Sequence, residues 1–201
     1  MQKIKANVKY IERVKFPCPQ DKVHVCGKDG AIKGVHALYF DEKLIFKGSN
    51  AFFWPINEEW GLKVYYSFGW FGAAKKKFVK LEYDNMRKLH KIGLAPEVKE
   101  VQKVKLDLKY KDKHIEKSAL AVLTKRIIYP EDAWENYATG YPYNWYCIEG
   151  DWHTAEGFLK FRDAACESIR KHKIKFLASL KLGDIMPDVN LGRWFIVDAG
   201  R

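Results

Sequence analysis

Two opposite charges sit in apolar surroundings, and they constrain the fold of this chain more than any other feature. Residues 73–92 carry a helical apolar pattern in which Phe78, Leu81, Met86, Leu89 and Ile92 form a stripe. Glu82 lies on that stripe, one turn from Phe78 and one from Met86. Lys63 lies in the run Gly61, Leu62, Lys63, Val64, Tyr65, Tyr66, which otherwise reads as an apolar strand. A carboxylate facing a core is costly unless it is paired. An ammonium on an adjoining strand is the most direct remedy, so the strand and the helix are expected to pack with Lys63 against Glu82. The alternative is a solvated Glu82 at the helix edge and a Lys63 that extends its stem to reach water.

The rest of the pattern places these two elements. Strands are expected at 6–11, 22–26, 35–40 and 43–46, broken at Pro17–Pro19, 27–30 and 41–42. A hairpin follows from 51–54 and 60–66. The helix at 73–92 stops at Gly93, with Pro96 beyond it. Strands resume at 98–109 and 118–128, and 129–153 is a Trp-, Tyr-, Gly- and Pro-rich loop region. A second helix runs from about 154 to 173, before a terminal hairpin. With 201 residues, of which 47% are apolar, the chain has length for one core in one domain or in two lobes. The expected class is α+β, with a β-rich lobe over 1–128 and a smaller helical lobe over 129–201.

The hairpin near the C-terminus concentrates oxygen ligands. Asp184, Pro187, Asp188 and Asn190 precede Gly192 and Arg193, which read as a two-residue turn, and an apolar strand at 194–197 leads to Asp198. Such a hairpin is expected to hold Asn190 and Asp198 side by side, and carboxylate and amide oxygens suit Mg²⁺. The four cysteines form no C-x-x-C pair, and His24 with Cys26 has no second pair to complete a zinc site. Ordinary thiols in a reducing compartment account for them. No apolar run is long enough to span a membrane, and the N-terminal residues carry no secretory pattern, so a cytoplasmic protein without membrane contact is expected. The net charge of +11 favours anionic partners: a nucleotide, an acidic protein or a nucleic acid.

Taken in order, Gly48, Ser49, Asn50, Lys63, Glu82, Asp184, Asn190, and Asp198 with Gly200 resemble the signature set of the protein-kinase-like superfamily. The nineteen residues between Lys63 and Glu82 match the strand-to-helix interval common in that family. The resemblance covers roughly residues 43–201 and implies a two-lobed fold that binds ATP and Mg²⁺. It implies that Gly48, Ser49 and Asn50 cover the phosphates, that Lys63 holds them, and that Glu82 holds Lys63. It further implies that Asn190 and Asp198 bind the metal and that Asp184 orients the proton of an attacking hydroxyl on a protein or small molecule. Asp184 precedes Asn190 by six positions where the family has five, so Asp188 competes for the acid–base or metal role.

Leu182 and Gly183 replace the usual His-Arg, Ala199 replaces the middle Phe, and the phosphate loop has one glycine. One residue follows Gly200, so a reduced second lobe is expected, with the acceptor gripped by 129–153 or by a partner chain. Two other readings stand beside the kinase. One is a basic nucleic-acid-binding module that uses lysines interleaved with Trp54, Trp60, Tyr65, Tyr66, Trp70 and Phe71. The other is an inactive member of the superfamily acting as an interaction or inhibitor protein.

Overall fold

A computed structural model describes residues 1–17, 31–41, 43–46, 51–67, 72–73, 76–127, 155–175, 180, 184–188 and 190–200. In chain order these form β1 (Gln2–Pro17), β2 (Ala31–Phe40), β3 (Lys43–Phe46), β4 (Ala51–Pro55), β5 (Trp60–Ser67), β6 (Gly72–Ala73), α1 (Lys76–Lys91), β7 (Val98–Tyr110), β8 (Lys113–Lys125), α2 (Ala155–Lys171), β9 (Ile185–Asp188) and β10 (Arg193–Ile196). The class is α+β: among the described residues, a strand-dominated sheet with two helices.

The large sheet runs β3-β2-β1-β7-β8-β5-β4, with β6 paired to β5. β1 is parallel to β7, and the other neighbours are antiparallel. The sheet curls until β3 and β4, its two ends, touch. Strand periodicity sorts the side chains between two cores. Ile4, Ala6 and Val8 of β1, Leu62, Val64 and Tyr66 of β5, and Val104, Leu106 and Leu108 of β7 fill the inside of the curl. On the outer face, Tyr65 and Val122 pack with Val79, Met86 and Leu89 of α1 and with Ala165 and Ile169 of α2. Ile185, Trp194 and Ile196 of the β9–β10 hairpin join the same outer core.

Several boundaries differ from the sequence expectation, each for a local reason. α1 begins at Lys76 because Gly72 and Ala73 pair with Ser67 and Tyr66 as a short strand. It ends as expected, with the Leu94 N–H closing on the Leu89 carbonyl past Gly93 at 2.9 Å. β1 starts at Gln2 because β2 and β7 pair with it on its two sides. β8 starts at Lys113 because Lys111 and Asp112 form a two-residue hairpin turn, with Lys111 at φ 51°. The run 113–117 looked too polar for a strand, since its exposed positions face solvent. The strand expected at 22–26 and the loop region at 129–153 lie outside the described residues.

An ion cluster ties the three central strands together on the outer face. Asp107 on β7 pairs with Lys3 on β1 at 2.7 Å and with His114 on β8 at 2.7 Å. Hydrogen bonds from Lys3 and then His114 draw the Asp107 carboxyl down to about 2. Its contribution is present above the ordinary carboxylate range and is lost as pH falls through about 2. Among the described residues no helix is long and apolar enough to cross a membrane.

Candidate functional site

The alternation of β5 decides where Lys63 points. Leu62 and Val64 turn into the curl, so Lys63 and Tyr65 face outward, where α1 packs. On α1, Val79, Glu82, Asn85, Met86 and Leu89 form the buried stripe. Lys63 and Glu82 meet there in a direct ion pair, as their two misplaced charges suggested. The Glu82 side chain is 1% exposed and that of Lys63 20%. The solvated alternative is thereby excluded.

Lys63 has further partners. Its Nζ donates to the Val197 carbonyl at 3.1 Å and lies 3.6 Å from Asp198 Oδ1. Burial of the ammonium works against its charge. Glu82, Tyr65 and Asp198 outweigh that and hold the Lys63 pKa well above the ordinary lysine value. For Glu82, burial pushes the pKa up and Lys63 restrains it. The pairing therefore favours the ammonium form of Lys63. Tyr65, two positions along the same strand face, adds a hydrogen bond to Glu82.

The terminal hairpin brings Asp198 to this pair. β9 and β10 align Ile185 with Ile196 and Asp188 with Arg193. The Ile196 N–H bonds the Leu94 carbonyl at 2.8 Å, which fixes the hairpin against the turn after α1. The Val197 N–H bonds the Asp184 carbonyl at 2.7 Å. Asp184 therefore sits at the Asp198 end of the hairpin, one residue out of register with it.

Asn190 does not. It lies exposed in the turn at the opposite end, and the expectation that the hairpin holds Asn190 beside Asp198 is corrected. Five residues of nearly extended chain from Arg193 to Asp198 span ~16 Å. The turn also differs from the expected Gly192-Arg193 pair: Arg193 is already in β10, and Gly192 ends the turn at φ 60°. Asp188 is 4% exposed, and its Oδ1 accepts the Leu191 N–H at 3.0 Å. It closes that turn, at the end of the hairpin away from Lys63. Gly48, Ser49 and Asn50 lie outside the described residues, in the link between β3 and β4.

Two further residues complete the site. Asn85, 1% exposed, donates through Nδ2 to the Ala199 carbonyl at 3.0 Å and to the Lys175 carbonyl at 3.2 Å. One buried amide thus pins the segment after Asp198 to α1 and to the chain beyond α2. Its signal was present, as a second polar residue on the apolar stripe, three positions after Glu82. Gly200 is the other. A Cβ there would stand 2.6 Å from Glu82 Oε2 and 2.6 Å from the Phe78 ring. The backbone after Asp198 passes this close to the carboxylate only because the side chain is absent. Gly200→Ala is expected to destabilise the protein by ~1–3 kcal/mol, as overpacking does. Urea denaturation measures it, and an unchanged midpoint would refute the close approach.

One ammonium here faces two carboxylates and a carbonyl oxygen, which leaves local negative charge. Asp198, with a side chain 39% exposed, is the carboxylate open to an incoming cation. Among the described residues no three His, Cys, Asp or Glu side chains gather into a protein-only metal cage. Mg²⁺ does not require one, because it commonly uses one or two carboxylates plus phosphate oxygens and water. The donor set fits Mg²⁺ in that mode. No protein-family model, curated protein or solved structure matches this chain.

Proposed function

We propose that Lys63, Asp198 and Asp184 form the phosphate and Mg²⁺ subsite of an ATP-dependent phosphotransferase of protein-kinase-like fold. In this reading the β-rich part over 1–128 is the nucleotide lobe and the remainder a reduced second lobe. The observation that carries it is the Lys63 ammonium, locked by buried Glu82 on one side and reaching Asp198 on the other. A salt bridge serving packing alone would be complete with Glu82. A second, half-open carboxylate is a feature of a site that receives a cation.

The roles follow from position. Lys63 contacts the phosphates, and Glu82, assisted by Tyr65, sets its direction. Asp198 would hold Mg²⁺, which when bound supplies charge neutralisation on the phosphates. Asp184 keeps the proton-orienting role at the same end of the hairpin. Gly48, Ser49 and Asn50 would cover the phosphates, since the link enters β4 at Ala51, opposite Tyr65. The acceptor is a hydroxyl of a protein or small molecule, positioned beside Asp184. Phosphoryl transfer depends on positioning and electrostatics, so no nucleophilic side chain is required.

The test is transfer of the terminal phosphate of labelled ATP to water or to a panel of hydroxyl acceptors. Asp184→Asn is expected to lower turnover at least ~100-fold, the low end for losing a proton-orienting or charge-stabilising group. Equal turnover in wild type and Asp184→Asn would remove Asp184 from the reaction. A second reading, nucleotide binding without transfer, is favoured by one observation: Asp184 is only 7% exposed. It predicts MgATP binding with no transfer to any acceptor.

A further inference from the structure

The outer face of the sheet is divided. α1 covers it over Tyr65, Leu120 and Val122, and beyond that cover lie the outward positions of β1, β7 and β8. The register aligns Lys3 with Lys105, Lys5 with Asp107 and Asn7 with Lys109, all on the outward side. Lys103 continues the row toward α1, opposite Leu120. Two adjacent strands, β1 and β7, thus present Lys3, Lys5, Lys103, Lys105 and Lys109 on one surface, against Asp107, Glu116 of β8, and Asp41 beside Asn7.

These acids are already engaged, Asp41 by the backbone N–H and Nδ2 of Asn7. Asp107 pairs with Lys3 and His114, and Glu116 pairs with Lys105. Lys5, Lys103 and Lys109 are exposed, with no carboxylate partner among the described residues. Lysines on edge strands deter aggregation, but β7 is internal to the sheet, between β1 and β8. Lys3 and Lys105, directly opposite each other, each keep a carboxylate of their own. The cationic surplus of this face therefore lies with the exposed Lys5, Lys103 and Lys109, and packing does not explain it.

We propose that the β1–β7–β8 face binds the phosphodiester backbone of a nucleic acid. Charge complementarity selects the partner: from Lys103 to Lys109 the row extends ~20 Å, about six nucleotide rises at ~3.4 Å each. The outward positions of the row supply cations and no aromatic ring for base stacking. Binding is therefore through phosphate, independent of sequence and strongly salt-dependent. The surface is separate from the Lys63 site and does not rest on the nucleotide reading.

Fluorescence anisotropy of the full chain with a labelled 20-nucleotide single strand and a 20-base-pair duplex tests this. Three phosphate contacts predict a log–log salt slope of about −2.7 for duplex and −2.1 for single strand. Between 50 and 200 mM salt that slope is a loss of affinity of about 20- to 40-fold. The combined variant Lys5→Gln, Lys103→Gln, Lys109→Gln is expected to bind at least about 10-fold more weakly at 50 mM salt, with a slope nearer zero. Its melting temperature, read alongside, should match the wild type, which separates lost contacts from lost fold. Unchanged affinity in a folded triple variant would overturn the assignment. So would equal binding, with the same lysine dependence, to poly-glutamate or to vesicles containing phosphatidylserine.

Discussion

In Asp198→Ala, ATP with Mg²⁺ is expected to lose the stabilisation it gives the wild-type protein. The proposed site predicts that wild-type protein at ATP concentrations of ~100 Kd gains ~2.7 kcal/mol. For a chain of this size that raises the melting temperature by ~5–10 °C. The Asp198 carboxylate lies 3.6 Å from Lys63 and is the exposed member of the cluster, so its removal leaves the buried Lys63–Glu82 pair in place. Apo stability should consequently change little, while the Mg²⁺-dependent part of the shift disappears. EDTA applied to the wild type should reproduce the variant. An Asp198→Ala protein that MgATP stabilises as strongly as the wild type would remove Asp198 from metal binding.

Lys63→Met is expected to act on the fold itself. It leaves Glu82 in a core, 1% exposed, without its counter-ion. Breaking a buried pair from one side costs ~3–5 kcal/mol, and the 20% exposure of Lys63 points to the lower figure. The loss should depend on pH with a definite sign. Burial already raises the Glu82 pKa, and without Lys63 nothing equivalent restrains it. The variant's deficit is then small below the unfolded carboxyl value of ~4.3 and grows as pH rises through the folded value. In the wild type the raised Lys63 pKa works in the other window: its contribution is full at neutral pH and is lost only as pH climbs above the ordinary lysine range. Adding Glu82→Gln to Lys63→Met should recover part of the stability, because the stranded charge is gone. A double-mutant cycle by urea denaturation measures that coupling, and additive losses with no pH dependence would contradict the pairing.

The sequence revealed the pairing of Lys63 with Glu82 because both charges broke the apolar pattern of their own elements. A buried polar residue is a local anomaly that needs a partner, and the partner with the matching anomaly lay nineteen residues away. The ends of the strands were less legible. β8 begins in the polar run Lys113, His114, Ile115, Glu116, Lys117, which is a strand only because β7 pairs with it. β6 was hidden inside a helical pattern for the same reason. The parallel neighbour relation of β1 and β7 joins residues about a hundred positions apart and leaves no local trace.

At the terminal hairpin, residue chemistry was legible and register was not. Asn190 and Asp198 are both suitable metal ligands by type. A turn at Gly192 and Arg193 would already pair Asn190 with Phe195, and the actual turn, two residues earlier, takes it further from Asp198. The actual register bonds the Val197 N–H to the Asp184 carbonyl, which leaves Asp184 at the Asp198 end of the hairpin and Asn190 at the far end. Asn85, and the close packing of Gly200 beyond its place in the Asp198 motif, were not legible because both depend on distant segments. Asn85 needs the carbonyls of Lys175 and Ala199, and Gly200 needs the approach of Glu82 and Phe78.

The most direct measurement of the Lys63 site uses an acyl-phosphate derivative of ATP. A lysine amine close to the terminal phosphate attacks the acyl carbonyl, forming an amide and releasing ATP, and peptide mass spectrometry locates the modified residue. Lys63 is expected to be acylated preferentially, in a Mg²⁺-dependent manner, with labelling suppressed by excess ATP and lost in Asp198→Ala. Exposed lysines such as Lys5 and Lys109 should label weakly and without ATP competition. Labelling confined to surface lysines, equal with and without competing ATP, would contradict a phosphate site at Lys63.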